Sequence, residues 1–135
     1  MKAVVLKKYG AAAEAFEFRN MPEPAPSDGE VLIQVELSGL NFADVMARKG
    51  LYKEAPPLPC IIGYDVVGTI VETGKAVENI KKGDRIMAFT RFGGYAEKVV
   101  TDARAVAPFP AGMDANIAIA LTTQYCTACM QLPKW

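Results

Sequence analysis

The 135-residue chain contains no histidine. Histidine-bound metal sites, the usual form of catalytic zinc, are therefore excluded. Charge of one sign is not in excess, since Lys plus Arg and Asp plus Glu number 15 each. That balance offers no basic field for nucleic acid or for an anionic membrane surface. No apolar stretch approaches the ~20 residues of a membrane span. The apolar part of Met1-Lys-Ala-Val-Val-Leu-Lys-Lys8 is also far too short for a secretory signal. Only three cysteines occur (Cys60, Cys126 and Cys129); they make no disulfide framework and fit a reducing, cytoplasmic setting. A phosphate cradle is missing too. No Gly-x-Gly-x-x-Gly stands on a strand-to-helix turn, and Lys81, Lys82 and Arg85 read as a solvated turn.

What is present describes an ordinary globular protein, with 51% hydrophobic and 22% charged residues. The length suits one domain over residues 1–135, with roughly two-thirds of the unfolded surface buried. Ala3–Leu6 and Ala15–Arg19 are short apolar runs around Tyr9-Gly10 and predict an opening hairpin. Pro22, Pro24, Pro26 and Ser27-Asp28-Gly29 make a loop and turn. Val31–Ser38 alternates, with Val31, Ile33, Val35 and Leu37 on one face of a half-buried strand. Asn41 is placed to N-cap a short helix ending near Gly50, with Asp44 in its first turn. Helical spacing there predicts Phe42, Val45 and Met46 toward the core. A β region follows from Val66 to Val106, punctuated by Gly68, Gly74, Lys82-Gly83-Asp84 and Gly93-Gly94. After Pro108–Gly112, Asp114 caps an alanine-rich helix through Leu121, and Thr122 or Thr123 a second one to about Leu132, ended by Pro133.

Several of these stretches carry a family resemblance. They are Ser38-Gly-Leu-Asn-Phe-Ala-Asp-Val45, Arg48-Lys-Gly-Leu-Tyr52, the Gly63 to Gly74 block, Gly83-Asp-Arg-Ile86, Gly93-Gly-Tyr-Ala-Glu97 and Thr123-Gln-Tyr-Cys-Thr-Ala128. In that order they resemble the zinc-independent quinone oxidoreductases and vesicle-amine-transport-like proteins of the medium-chain dehydrogenase/reductase superfamily. The resemblance runs from Met1 to about Ala128 and implies a mainly β fold. The expected form is a partly open GroES-like β-barrel with short helices, the last of them C-terminal. It also implies NADPH, held in the complete enzyme by a Rossmann domain that follows where this chain ends. The chain alone is expected to bind no cofactor.

The resemblance locates the chemistry. Zinc alcohol dehydrogenases hold catalytic zinc with cysteine, histidine and cysteine, at positions that fall here on Asn41, Tyr64 and Ile119. The cysteine-rich loop for structural zinc is missing between Ile86 and Gly93, so no metal is expected. Without one, a carbonyl is polarised by hydrogen-bond donors, and Asn41, Tyr52 and Tyr64 supply an amide and two phenols. Tyr52 is expected to face a cleft; Tyr64 is equally open to a packing role, and Asn41 to a plain cap. Phe42 and Thr123 match positions at the nicotinamide end of the cofactor, with core packing and helix capping as their alternatives. A tyrosine common in the family is Met46 here. Asp44 and Asp65 read as capping or ion-pairing carboxylates. Cys126-Thr-Ala-Cys129 has a redox or zinc form, although no βαβ pattern surrounds it.

The expected function is that of the substrate domain of an NADPH-dependent reductase of quinones or α,β-unsaturated carbonyls. Acting alone, the chain is expected to be inactive. The alternative is a non-catalytic interaction protein or an inert remnant that keeps the barrel. An apolar C-terminal face including Ile117, Ile119, Leu121, Met130 and Trp135 predicts a homodimer or larger assembly.

Overall fold

Lys2–Leu6 (β1) and Phe16–Asn20 (β2) pair antiparallel, as the predicted hairpin requires. A helical turn, Ala12–Ala15 (α1), joins them, so Ala15 closes that turn instead of opening the second strand. The alternating segment forms Glu30–Ser38 (β3), and Phe42–Arg48 (α2) follows it. Asp65–Thr73 (β4), Arg85–Phe89 (β5), Lys98–Asp102 (β6) and Val106–Pro108 (β7) complete an antiparallel sheet in the order β6-β3-β4-β5-β7. Register shifts at Leu32/Ile33 and Val35/Leu37 bend the β3–β4 pair. With β6 and β7 at opposite edges, the sheet is not closed into a full barrel. The computed structural model describes residues 1–132; Pro133 and Trp135, which entered the expectations above, lie outside them.

Three apolar clusters hold the elements together. Val31, Ile33, Val66, Ile70 and Ile86 are sealed within the main sheet's core. Each such side chain contributes roughly 1.5–3 kcal/mol relative to exposure. A second cluster of Leu6, Ala15, Ala47, Cys60 and Ile62 ties the hairpin to α2 and to the segment before β4. Burial there pushes the Cys60 thiol pKa up, which suits a core residue. Val67, Phe109 and Ala118 form the third, which seats the C-terminal helix against the sheet.

Two expectations about the helices are corrected. On α2 the buried residues are Asp44 and Ala47, while Phe42 is 77% exposed and Val45 36%. The helix approaches the Gly63 backbone closely, and its small and hydrogen-bonding side fits there better than a phenyl ring. At the C-terminus the two expected helices are one run: Ala115–Ala120 (α3), a π-helical turn over Leu121–Tyr125, and Cys126–Gln131 (α4). Asp114 caps it as expected, accepting from the Asn116 N–H at 2.7 Å. Neither threonine caps a second helix. Thr122 donates back to the Ala118 carbonyl at 3.0 Å, a bond that leaves the helix continuous.

Candidate functional site

The site is built where the chain enters α2 and where it enters β4. Asn41 is the N-cap of α2, and its backbone N–H donates to Asp44 Oδ2 at 2.9 Å. Its side-chain Nδ2 donates to Asp65 Oδ1, also at 2.9 Å. The other Asp44 oxygen accepts from the Gly63 N–H at 3.1 Å. Two buried carboxylates thus tie α2 to the bend before β4. Gly63 itself has φ +109°, and a Cβ there would lie 2.7 Å from Tyr95 Cδ1 and 2.8 Å from the Tyr95 nitrogen. Only glycine permits that path.

Tyr64 follows directly. Its hydroxyl shares a hydrogen bond with the Tyr52 hydroxyl, and the rings meet edge to face with centroids 6.0 Å apart. Phe92 packs on the Tyr64 ring at 5.5 Å. Thr90 holds the backbone from below, donating its N–H to the Tyr64 carbonyl and its hydroxyl to the Gly63 carbonyl, each at 2.8 Å. Burial, then the bond to Tyr52, pushes the Tyr64 phenol up to about 12. It stays a proton donor across the physiological range. Burial is also the first cause that raises Tyr95, with the charge of the neighbouring Asp44 carboxylate adding to it. Asp44 is raised by burial as well, against the opposing pull of the Asn41 N–H, the Tyr95 hydroxyl and the Gly63 N–H.

Asn41 pairs with Asp65 and Tyr52 with Tyr64, so the group consists of two pairs that meet where Tyr64 and Asp65 adjoin in the chain, and Asn41 is at once cap and side-chain donor. Phe42 stands beside it in sequence with its ring exposed. Thr123 lies on the π-helical turn; no hydrogen bond joins it to the group among the described residues, and its enclosed hydroxyl is unpartnered. The reading of Asp44 as a cap holds, but neither Asp44 nor Asp65 meets a lysine or arginine within ion-pair distance among the described residues. Sequence reasoning passed over Thr90, Phe92 and Tyr95. Gly93-Gly94 beside two aromatics was the available signal, because a tight turn there brings the aromatics against the neighbouring strand.

The three positions that the resemblance matches to zinc ligands offer poor donors. Asn41 offers a neutral amide oxygen that faces the Asp44 N–H in the capping box, Tyr64 is held protonated, and Ile119 packs beside Val67, Phe109 and Ala118. Among the described residues no three His, Cys, Asp or Glu side chains are grouped as metal ligands. Cys126 and Cys129 are exposed thiols on α4. No described helix is long and apolar enough to cross a membrane.

An open antiparallel sheet with short helices and a donor-bearing bend defines a class, and comparison with known proteins supplies the family. The profile of the alcohol dehydrogenase GroES-like domain matches residues 27–111. The rat synaptic vesicle membrane protein VAT-1 homolog is 37% identical over 133 residues, covering 98% of this chain and 33% of that protein. The crystal structure of human VAT-1 homolog-like protein superposes with a TM-score of 0.93 at 34% identity, over 98% of this chain and 42% of that one. Escherichia coli quinone oxidoreductase, solved in complex with NADPH, gives 0.83 at 27% identity, over 89% and 36%. The chain belongs to the alcohol dehydrogenase GroES-like domain family, in the quinone oxidoreductase and VAT-1-like branch of the medium-chain dehydrogenase/reductase superfamily. It spans about a third of the length of the curated relatives it matches.

Proposed function

We propose that residues 1–135 are the substrate domain of a zinc-independent, NADPH-dependent oxidoreductase of quinones or α,β-unsaturated carbonyls. We propose further that the chain is inactive without a nucleotide-binding domain. The observation that carries this reading is the set of donors brought to one bend: the Asn41 amide, bonded to Asp65, and the Tyr52 and Tyr64 phenols, bonded to each other. Donors fixed before the reaction stabilise charge that develops on a carbonyl oxygen, because they need not reorganise as it forms. NADPH, when bound, supplies the hydride. The exposed Phe42 ring is the group of this chain suited to its nicotinamide end, while Thr123, the other candidate, keeps its hydroxyl enclosed. Nothing among the described residues offers its phosphates a glycine turn heading a helix. A cytoplasmic setting and a homodimer complete the proposal. The dimer rests on Ile117, Met130 and Leu132, which are 56%, 84% and 65% exposed.

The test mixes the pure chain with NADPH and a quinone and follows absorbance of the reduced nicotinamide. No turnover is expected, and calorimetry is expected to show no micromolar NADPH binding. Fusion to a nucleotide-binding domain of the family is expected to restore quinone-dependent oxidation, with Tyr52→Phe reducing it ~10-fold through loss of one donor. Turnover by the isolated chain, or about one zinc per chain by elemental analysis, would overturn the reading.

A further inference from the structure

Asp65 is only 1% exposed. A buried carboxylate is unfavourable unless its oxygens are satisfied, and no cation lies within ion-pair distance among the described residues. The hydrogen bond its side chain makes is the one from Asn41 Nδ2. The chain is shaped to admit that carboxylate. Gly39 has no side chain where a Cβ would sit 2.1 Å from Asp65 Oδ1, and its N–H donates to the Asp65 carbonyl at 3.1 Å. The helix end uses only the oxygen of the Asn41 amide, which faces the Asp44 N–H in a capping box. The α2 N-terminus is served by Asp44, which accepts from the Asn41 backbone. A buried carboxylate on the amide nitrogen goes beyond what the cap requires and points to a functional constraint.

An ionised carboxylate only accepts hydrogen bonds, whereas an amide presents two N–H donors on one side and a carbonyl on the other. A carboxylate against an asparagine therefore decides which way the amide lies and forbids the flipped rotamer. We propose that Asp65 is a positioning residue. It anchors one N–H of Asn41 and so fixes the second, which has no partner among the described residues, as a donor to a carbonyl ligand. The flanking Leu40 and Phe42 are 80% and 77% exposed, so apolar surface borders the amide on both sides along the chain. A carbonyl carried on an apolar ring matches that chemistry. The identity of the ligand rests on the function proposed above; the anchoring does not.

The experiment uses the ¹⁵N-labelled chain, with the Asn41 side-chain pair assigned by its loss in Asn41→Ser. The probe is tetramethyl-p-benzoquinone, whose ring has no free position for addition of the exposed Cys126 and Cys129 thiols. In the unmodified chain one Asn41 side-chain proton is expected to exchange with solvent ~10-fold more slowly than its geminal partner. Added quinone is expected to move the faster proton. In Asp65→Asn, which keeps the volume and allows either amide orientation, the exchange ratio is expected to fall to within about twofold, and the quinone-induced shift to weaken ~10-fold. A helix cap alone would leave that ratio unchanged by the substitution. Equal exchange of the two protons in the unmodified chain overturns the anchoring, and needs no folded variant to be read. An intact ratio with neither proton moved by quinone overturns the proposed function and its ligand instead.

Discussion

The bend between α2 and β4 and the helical run after Gly112 are opposite solutions to the same problem of placing a segment. At the bend, each strut is named: Asp44 accepts from Asn41 and Gly63, Asp65 accepts from Asn41, and Thr90 donates to the Gly63 and Tyr64 carbonyls. The C-terminal run is held along one side by Ala118, Ile119 and Thr122 and leaves Ile117, Tyr125, Met130 and Leu132 facing out. A run of this length is marginal as an isolated helix and takes its stability from packing. The first region carries its own geometry, whereas the second holds apolar surface in reserve. Chemistry that needs fixed donors belongs in the first region, and association belongs in the second.

The sharpest way to break that contrast is a pair of glycine substitutions. Gly63 and Gly112 both have positive φ, +109° and +89°, but a Cβ at Gly112 meets nothing within 4 Å. Gly63→Ala combines backbone strain with a clash against the Tyr95 backbone, so a loss of roughly 3–5 kcal/mol is expected. Gly112→Ala meets strain alone, and a loss of roughly 1 kcal/mol is expected. Urea denaturation measures both. Equal losses would mean that the bend is no more constrained than the entry to the helix.

The same contrast explains what could be read from sequence. Val31–Ser38 was legible because alternation is a local signal and one face of β3 meets the core, with Val31 and Ile33 fully buried. Asp114 was legible because a cap acts within three residues of itself. Asn41, Tyr52 and Tyr64 were named separately, but their linkage was not, since Tyr52–Tyr64 and Asn41–Asp65 are contacts across 12 and 24 residues. The inversion of α2 has the same origin. Periodicity identifies which residues share a face, yet the choice of Asp44 and Ala47 over Phe42 was made by the distant Gly63 N–H. The unbroken C-terminal helix was missed for a different reason. A threonine inside a helix either caps or bonds back four residues, and the sequence does not say which.

A smaller effect sharpens the reading of the bend. In Tyr52→Phe the Tyr64 hydroxyl loses its partner while its burial remains. The Tyr64 pKa is expected to fall from about 12 toward, but not to, its ordinary 10. Phenolate absorbance near 295 nm follows it directly. The sign of the linked stability effect follows from that raised folded value. The contribution is present below the unfolded pKa of about 10 and is lost as pH rises toward 12. Alkaline unfolding is therefore expected to steepen less in Tyr52→Phe than in the unmodified chain. A titration curve for Tyr64 unchanged by the substitution would show that the two hydroxyls do not share a bond in solution.

The smallest expected change in stability belongs to the helical run, and there a small value is the informative one. Ile117 and Met130 are 56% and 84% exposed, so replacing both with serine removes little buried surface. Surface substitutions of this kind stay within about 0.5 kcal/mol each. Ile119, two residues from Ile117, packs beside Val67, Phe109 and Ala118, and Ile119→Ser is expected to lose roughly 2–4 kcal/mol. Two isoleucines on one helix are thus expected to differ several-fold in their effect on folding. Their effect on association is expected to run the other way. Contiguous exposed apolar surface drives self-contact, so the Ile117→Ser/Met130→Ser chain is expected to scatter light as a monomer at concentrations where the unmodified chain forms dimers. Ile119→Ser, where it folds, should still associate. If the double substitution left the dimer intact, the interface would have to lie elsewhere, with the open edges of β6 and β7 the next surfaces to test.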